Sequence, residues 1–448
     1  MLLGDWFAKE LHEKRVILQK FWDERIINFN EKSVNDFKNR IINRHFPPDP
    51  QFNEKIENVF KDAVARRIRF EEFFEKLKFI PLRNVKDTGR LEHLMALPQK
   101  TEVASLEITG SDVANIKRYM TDKNMSAVVS LGNTQTELTT LASEGNKPSD
   151  IFCMLSIGKI FTGMLIFKLL EKGVINEYDL NSPIRLDEDI MSKLPTNVQE
   201  RLKAVTWHQL MTHMAGIGDY VDNDVEDIKS RNSKREPQKS SMRELLPFID
   251  KKVYPINKIL YSNAGMLLLG FAIEHAYKEK FGSHLDYNAI LQQYIIDEVG
   301  MPSFSTRMPE STEQHQVKYN HADYAEAVVM HNLIGSPAGA GTWVSTEDLA
   351  KFGQWIYKES RKNPSLKAFL EKYGQEFYDK EQQMISHHGG RPSACAFFSV
   401  SLKTGSQVAI MSNQPNMAID LSMRISDEIF FKPLAQTPEE RPPEAFTP

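Results

Sequence analysis

Apolar side chains fall along this chain in two rhythms. Over residues 1–100 they recur at helical spacing, as in Trp6, Leu11, Ile17, Phe21 and Ile26, among dense charge, which is the pattern of helices with one apolar stripe. The run Phe46-Pro47-Pro48-Asp49-Pro50 breaks the pattern, and a second helical block follows over 52–77. With Gly4 and Gly89 as its only glycines, this stretch reads as an N-terminal helical extension whose stripes serve packing. From about Thr101 the rhythm changes. Residues 101–108 fit a strand, Ser111 caps a helix over 112–122, and 126–131 and 137–142 form a hairpin around Gly132-Asn133-Thr134. A long apolar helix spans 156–172 and stops at Gly173, and a second begins at Asn263 and runs to about Tyr277. The polar run KSRNSKREPQKSS within 222–241 is a solvated loop. Near the end, 394–402 and 407–412 read as strands joined at Lys403-Thr404-Gly405, followed by a helix over 419–430. No internal repeat is visible.

Strands at both ends of this region, with helices between them, predict one antiparallel sheet assembled from the two ends. The expected organisation is a helical extension over 1–100 and an α/β domain of the α+β kind over 101–432. Within that domain, helices flank the sheet and build a helical subdomain. The tail over 433–448, PLAQTPEERPPEAFTP, has a disordered composition.

Composition narrows the function classes. The 448 residues are 41% hydrophobic and 26% charged, an ordinary globular balance, and the formal net charge is -4. No basic excess points to nucleic acid or an anionic membrane. Cys153 and Cys395 make no disulfide framework. The longest apolar stretch, 154–170, carries Lys159 and Lys168, so no segment reads as a membrane span. Asp5 and Lys9 interrupt the start of the chain, against a Sec signal peptide. The expected location is the cytoplasm.

Three short motifs carry candidate chemistry. Ser156-Ile157-Gly158-Lys159 is an S-x-x-K. Residues three apart share a helix face, so hydroxyl and amine can meet. A serine hydroxyl needs a neighbouring base to become a nucleophile, and a lysine among Ile157, Ile160, Phe161 and Met164 must either reach for the surface or serve chemistry. A serine there is also an ordinary helix cap. Tyr261-Ser262-Asn263 precedes the second apolar helix; tyrosine can relay protons and asparagine can hold a carbonyl or amide, although a plain turn has the same composition. His387-His388-Gly389-Gly390 stands directly before a strand, where glycines let a substrate approach backbone N–H groups. No H-E-x-x-H or C-x-x-C accompanies these histidines, so neither a metal nor a cofactor is expected.

Taken together and in this order, the motifs resemble the serine β-lactamase and penicillin-binding-protein family, whose signature is S-x-x-K, S-D-N and K-T-G. The class C β-lactamase-related branch, of esterase and D-peptidase type, uses Y-x-N and often H-x-G for the second and third elements. The segments PSDIFCMLSIGKIFTG, VTWHQLMTHMAGI, YSNAGMLLLGFAIE and SPAGAGTWVSTEDLAKFG are similar to that branch, over roughly 111–430. The resemblance implies Ser156 as acylated nucleophile, Lys159 and Tyr261 sharing base and acid work, and Asn263 binding substrate. It implies His387 in place of the K-T-G lysine, with the N–H groups of Ser156 and Gly390 forming an oxyanion hole beside Gly389. Which of Lys159 and Tyr261 is the base stays open. A literal Lys403-Thr404-Gly405 also exists, but it falls in the turn between the last two strands, whereas His387 leaves two strands before the final helix. His388 stands one residue too close to the first glycine.

The resemblance implies a serine hydrolase forming an acyl-enzyme on Ser156 and cleaving an ester or amide in a small-molecule or peptide substrate. An acyltransferase with the same intermediate is the first alternative. A non-catalytic scaffold, like the animal mitochondrial β-lactamase-like protein that polymerises, is the second. Residues 1–100 would then recruit a protein partner or mediate self-association. The segment Glu439-Glu440-Arg441-Pro442-Pro443-Glu444 resembles the glutamate-rich ends of effectors exported by type IV systems, which would place the protein in a host cell. Because every motif lies beyond Asp150, a chain starting near Thr101 should keep its reaction with a fluorophosphonate probe. Loss of labelling, with circular dichroism still showing a folded protein, would mean that the extension helps build the site.

Overall fold

The computed structural model describes residues 110–133, 138–220, 242–307, 309–312, 316–318, 336–391, 394–414 and 417–425. The helical extension, the strand over 101–108, the loop over 222–241 and the tail fall outside these residues.

A six-stranded sheet forms the frame, in the order β2-β1-β9-β8-β7-β6. Its strands are β1 (Ala127–Gly132), β2 (Thr139–Ala142), β6 (Tyr378–Asp379), β7 (Met384–Arg391), β8 (Ala394–Ser401) and β9 (Gln407–Ser412). Every neighbouring pair is antiparallel. β1 joins β9 from Ala127↔Ser412 to Gly132↔Gln407, so the two ends of the domain close one sheet, as expected. A small second sheet, β4-β3-β5, joins β3 (Ile151–Cys153) to β4 (Val317–Lys318) and β5 (Trp343–Ser345). It escapes a pattern reading because two- and three-residue strands have no measurable period.

Both faces of the sheet are covered. Helix α1 (Gly110–Asp122) brings Ile116 and Met120 against Val129, Leu131, Val408 and Ile410, and the helix spanning Met417–Ile425 adds Leu421 and Ile425. On the other side Phe352, from the helix spanning Thr346–Lys362, has its ring 6.1 Å from that of Phe398. Two-sided cover explains why β1 and β9 are buried at every position rather than alternating.

Helix α2 (Gly158–Glu171) lies at the centre, buried from Gly158 through Leu169, as expected of a helix apolar on all sides. The Phe161 ring stacks on Phe352 at 3.8 Å. α2 follows a single 3-10 turn, Leu155–Ile157, so Ser156 sits one turn earlier than a plain helical reading places it. Gly173, with φ +62, ends the segment. Lys168 sits near its end among Glu171, Glu298 and Glu359 at 3.2–3.5 Å, so this buried cation is paired. Helix α3 (Trp207–Met211) opens on a Thr206 capping box. Helix α4 (Asn263–Phe281) is capped by Ser262, whose Oγ accepts from Gly265 N, and closed by Gly282 in the left-handed region. It runs four residues beyond the expected end.

Glu274 on α4 is 7% exposed. Its Oε1 accepts from Tyr287 N at 2.9 Å, yet burial raises its pKa to about 7. The folded state therefore binds a proton more tightly than the unfolded chain does. The associated stability is full below the unfolded pKa and is lost as pH rises through about 7. Glu274→Gln keeps the acceptor and removes the charge. Urea midpoints should show the variant gaining on the wild type between pH 5 and 8, by at most ~3 kcal/mol; parallel curves would show that Glu274 is not held protonated.

Candidate functional site

The site forms where the start of α2, the turn before α4, the 336–342 turn and β7 converge. Leu155 adopts φ +52, an uncommon conformation for a branched apolar residue. Strand β7 runs against it: a Cβ on Gly389 would stand 2.5 Å from Leu155 Cβ and 3.0 Å from Ser156 N. Glycine at 389 is what permits this approach. The Ser156 hydroxyl does not cap the helix. Its Oγ lies 2.6 Å from Tyr261 Oη and accepts from Lys159 Nζ at 3.1 Å.

Lys159 is 1% exposed. Its ammonium also donates to Asn263 Oδ1 at 2.9 Å and to the Gly339 carbonyl at 3.1 Å, and it lies 4.7 Å from the Tyr261 ring centre. Three acceptors meet three N–H donors, which is what a buried ammonium requires. Gly158 lets the 336–342 turn come close, since a Cβ there would lie 3.3 Å from Thr342 Oγ1 and 3.4 Å from Gly339 O. Thr162, one turn on, donates to Ala338 O at 2.7 Å. Asp219 sets the orientation of Asn263: its Oδ2 accepts from both Asn263 N and Asn263 Nδ2 at 2.9 Å. With its amide nitrogen so engaged, Asn263 must turn its oxygen to Lys159.

Ser156, Lys159, Tyr261 and Asn263 are thus brought together as the motifs anticipated. His387 differs in part. It was expected to open a strand, but β7 starts three residues earlier at Met384, paired with Ser401. The glycines that suggested a boundary lie inside the strand, paired with Ala396 and Cys395. The His387 side chain is 3% exposed. Its Nε2 is 3.1 Å from Glu376 Oε1 and its Nδ1 is 2.6 Å from the His388 carbonyl. Glu376 Oε1 is also 3.2 Å from Nε2 of His213. The His213 ring stands 4.5 Å from that of Tyr261, and its Nδ1 accepts from Ser262 N at 3.2 Å. Burial pushes the Glu376 carboxyl up, but His213 and His387 outweigh it and hold the group well below the carboxylate range. Burial, then the charge of His387, with Lys159 a smaller cause, lowers His388 to about 4, against the opposing pull of Glu376. The space beside Gly390 is open, with nothing within 4 Å of a Cβ placed there. Lys403 lies in the distal β8–β9 turn, exposed, with Nζ on Glu381 O at 3.1 Å.

Asp219, Gly339 and Glu376 carry no motif of their own, and His213, five residues from His208, reads in the sequence as part of a helix and its following turn. His213 and Gly339 stand inside segments similar to the family, VTWHQLMTHMAGI and SPAGAGTWVSTEDLAKFG, yet nothing in their spacing shows that a side chain or a carbonyl turns inward. Asp219 lies 44 residues from Asn263, and Glu376 carries no local signal.

An antiparallel sheet packed between helices, with a serine–lysine–tyrosine cluster at the head of the central helix, defines a serine hydrolase type of architecture. The chain belongs to the Beta-lactamase family, whose family model matches residues 114–424. This is a family of the serine β-lactamase and penicillin-binding-protein type, within the serine hydrolase superfamily. A penicillin binding protein from Bacillus halodurans superposes with a TM-score of 0.54 at 18% identity, over 70% of this chain and 98% of that one. A D-stereospecific amidohydrolase from Streptomyces sp. gives 0.52 at 15% identity, over 71% and 98%. SurE gives 0.50 at 18%, over 70% and 74%. At these identities the likeness is one of fold. No helix among the described residues is long and apolar enough to cross a membrane.

Removing the carboxylate that orients Asn263 should disturb Lys159 without touching Ser156. Asp219→Ala is expected to slow fluorophosphonate labelling about 10- to 100-fold, the cost of a slightly misplaced group. An unchanged rate would show that Asn263 keeps its orientation without Asp219.

Proposed function

We propose that this protein is a serine hydrolase that forms an acyl-enzyme on Ser156 and cleaves an ester or amide, in the manner of an esterase or D-amino-acid peptidase. The observation that carries the reading is the Ser156 hydroxyl held 2.6 Å from Tyr261 Oη and 3.1 Å from Lys159 Nζ, in a half-buried position open to a substrate.

The order of proton transfer follows from the donors. As an ammonium, Lys159 spends its three N–H groups on Ser156 Oγ, Asn263 Oδ1 and the Gly339 carbonyl and keeps no lone pair for the serine proton. The group placed to accept the hydroxyl proton is Tyr261 as its phenolate, the form that the ammonium beside its ring favours. Ser156 Oγ attacks the substrate carbonyl carbon as its proton passes to Tyr261. The resulting oxyanion is received by the N–H groups of Ser156 and Gly390. Tyr261 returns the proton to the leaving alcohol or amine, and water completes the cycle by the same path in reverse. Asn263 has its amide nitrogen on Asp219 and its oxygen on Lys159, so its first task is to hold the lysine, and substrate contact is secondary. The fold is shared with a D-stereospecific amidohydrolase, which makes amides of D-amino acids the first substrates to try beside p-nitrophenyl esters.

Ser156→Ala should abolish ester hydrolysis and probe labelling while leaving the circular dichroism spectrum unchanged. In the wild type, mass spectrometry should place the phosphonate on the peptide containing Ser156. Labelling that persists in the variant, or an adduct elsewhere, would overturn the proposal.

A further inference from the structure

We infer that Glu376 is a positioning residue of this site, and that it sets the protonation of the two histidines behind Tyr261, holding His387 as an imidazolium and His213 as a neutral ring protonated on Nε2. The role in catalysis rests on the reading of Ser156 given above; the protonation pattern does not.

Glu376 is 4% exposed and follows the helix spanning Pro364–Tyr373. A carboxylate so buried needs partners, and its Oε1 faces Nε2 of His387 at 3.1 Å and Nε2 of His213 at 3.2 Å. An ionised carboxylate only accepts, so the His387 nitrogen carries hydrogen, whereas the His213 nitrogen lies within ion-pair distance but off the line of a hydrogen bond. The other nitrogen of His387, Nδ1, is 2.6 Å from the His388 carbonyl, which also only accepts. His387 therefore bears both protons and a positive charge. His213 is the opposite case. Its Nδ1 faces the Ser262 backbone N–H at 3.2 Å, which only donates, so Nδ1 is bare and the ring is neutral.

Protonating Glu376 instead would meet the same contacts, with Oε1 donating to His387 while His213 keeps its own proton, but it would leave the proton on the weaker base, since a carboxylate gives up its proton about two pH units below an imidazole. Against the push of burial, the hydrogen bond and charge of His387 both pull the Glu376 carboxyl down, which agrees with the ionised form. Among the described residues the other charged and titratable groups nearby are His388, whose proton affinity is lowered, Tyr261, whose ring lies 4.5 Å from that of His213, and Lys159, which lies beyond the Tyr261 ring. Within the cluster the cation is on His387 and the anion on Glu376.

This arrangement gives the third motif a charge that imidazole alone does not guarantee. His387 shares a strand face with Gly389, and Gly389 packs on Ser156 N. A lysine at such a position is cationic unaided; a histidine is cationic at neutral pH when a buried carboxylate holds its second proton. Through His213 the same carboxylate braces the turn bearing Tyr261 and Asn263, since His213 Nδ1 accepts the Ser262 N–H between them.

The test is nitrogen-15 NMR of the full-length protein at pH 7.5, with ring signals assigned through His213→Gln and His387→Gln. His387 should show two protonated ring nitrogens, and His213 a protonated Nε2 with a bare Nδ1. A neutral His387, or a proton on His213 Nδ1, would overturn the inference without recourse to any Glu376 variant. Glu376→Gln should convert His387 to a neutral ring and slow phosphonate labelling about tenfold or more. A His387 that stays doubly protonated in that variant would also overturn it. If the wild-type pattern is found but Ser156 never takes the probe, the protonation pattern stands and the hydrolase proposal fails.

Discussion

Much of the site follows from one constraint, the burial of the Lys159 ammonium at the head of an otherwise apolar helix. An ion there is costly unless every donor finds an acceptor. Each of the three acceptors comes from a different part of the chain: Ser156 from the preceding turn, Asn263 from the start of α4, and Gly339 from the 336–342 turn. Satisfying the ammonium therefore fixes the relative placement of three segments. Gly158 and Gly339 keep the third close, and Asp219 holds Asn263 to its part. Desolvation also makes Lys159 a strong local field, felt by the Tyr261 ring beside it and by His388.

A second layer supports the first. Asp219 touches Asn263, which holds Lys159, and Glu376 touches His213, which packs on Tyr261, and His387 on β7; both are carboxylates whose task is orientation. Asp219 acts on a neutral amide, where only direction is at stake. Glu376 acts on two imidazoles, where direction and protonation are set together. Precision in the cluster thus depends on charges placed two groups behind the hydroxyl.

The fold was legible where period and punctuation agree. Gly132-Asn133-Thr134 marked a hairpin, Gly173 ended the central helix, and Lys403-Thr404-Gly405 marked the last turn. The S-x-x-K and Y-x-N residues were legible because their chemistry is local: each motif is a turn entering an apolar helix. What escaped was of another kind. The β4-β3-β5 sheet is too short to show alternation. β7 was placed three residues late because Gly389 and Gly390 usually interrupt strands, whereas here Gly389 is required by the approach of Leu155. Asp219 and Glu376 act across tens or hundreds of residues, on His213, His387 and Asn263, and single acids in a chain with 60 Asp and Glu carry no mark of burial.

The closed sheet has a consequence for how the molecule comes into being. Ser126 N donates to the side chain of Gln414, 288 residues away, at the edge of the β1–β9 ladder. During synthesis the β1–β2 hairpin emerges long before β9, its natural neighbour. For that interval one side of β1 presents unpaired backbone groups, in a strand whose side chains are all destined for the interior. Joining such distant segments also makes for slow folding. The β1 edge is therefore the place where chaperones would engage the nascent chain, and where a premature stop ahead of residue 407 would leave a sticky, unfinished sheet.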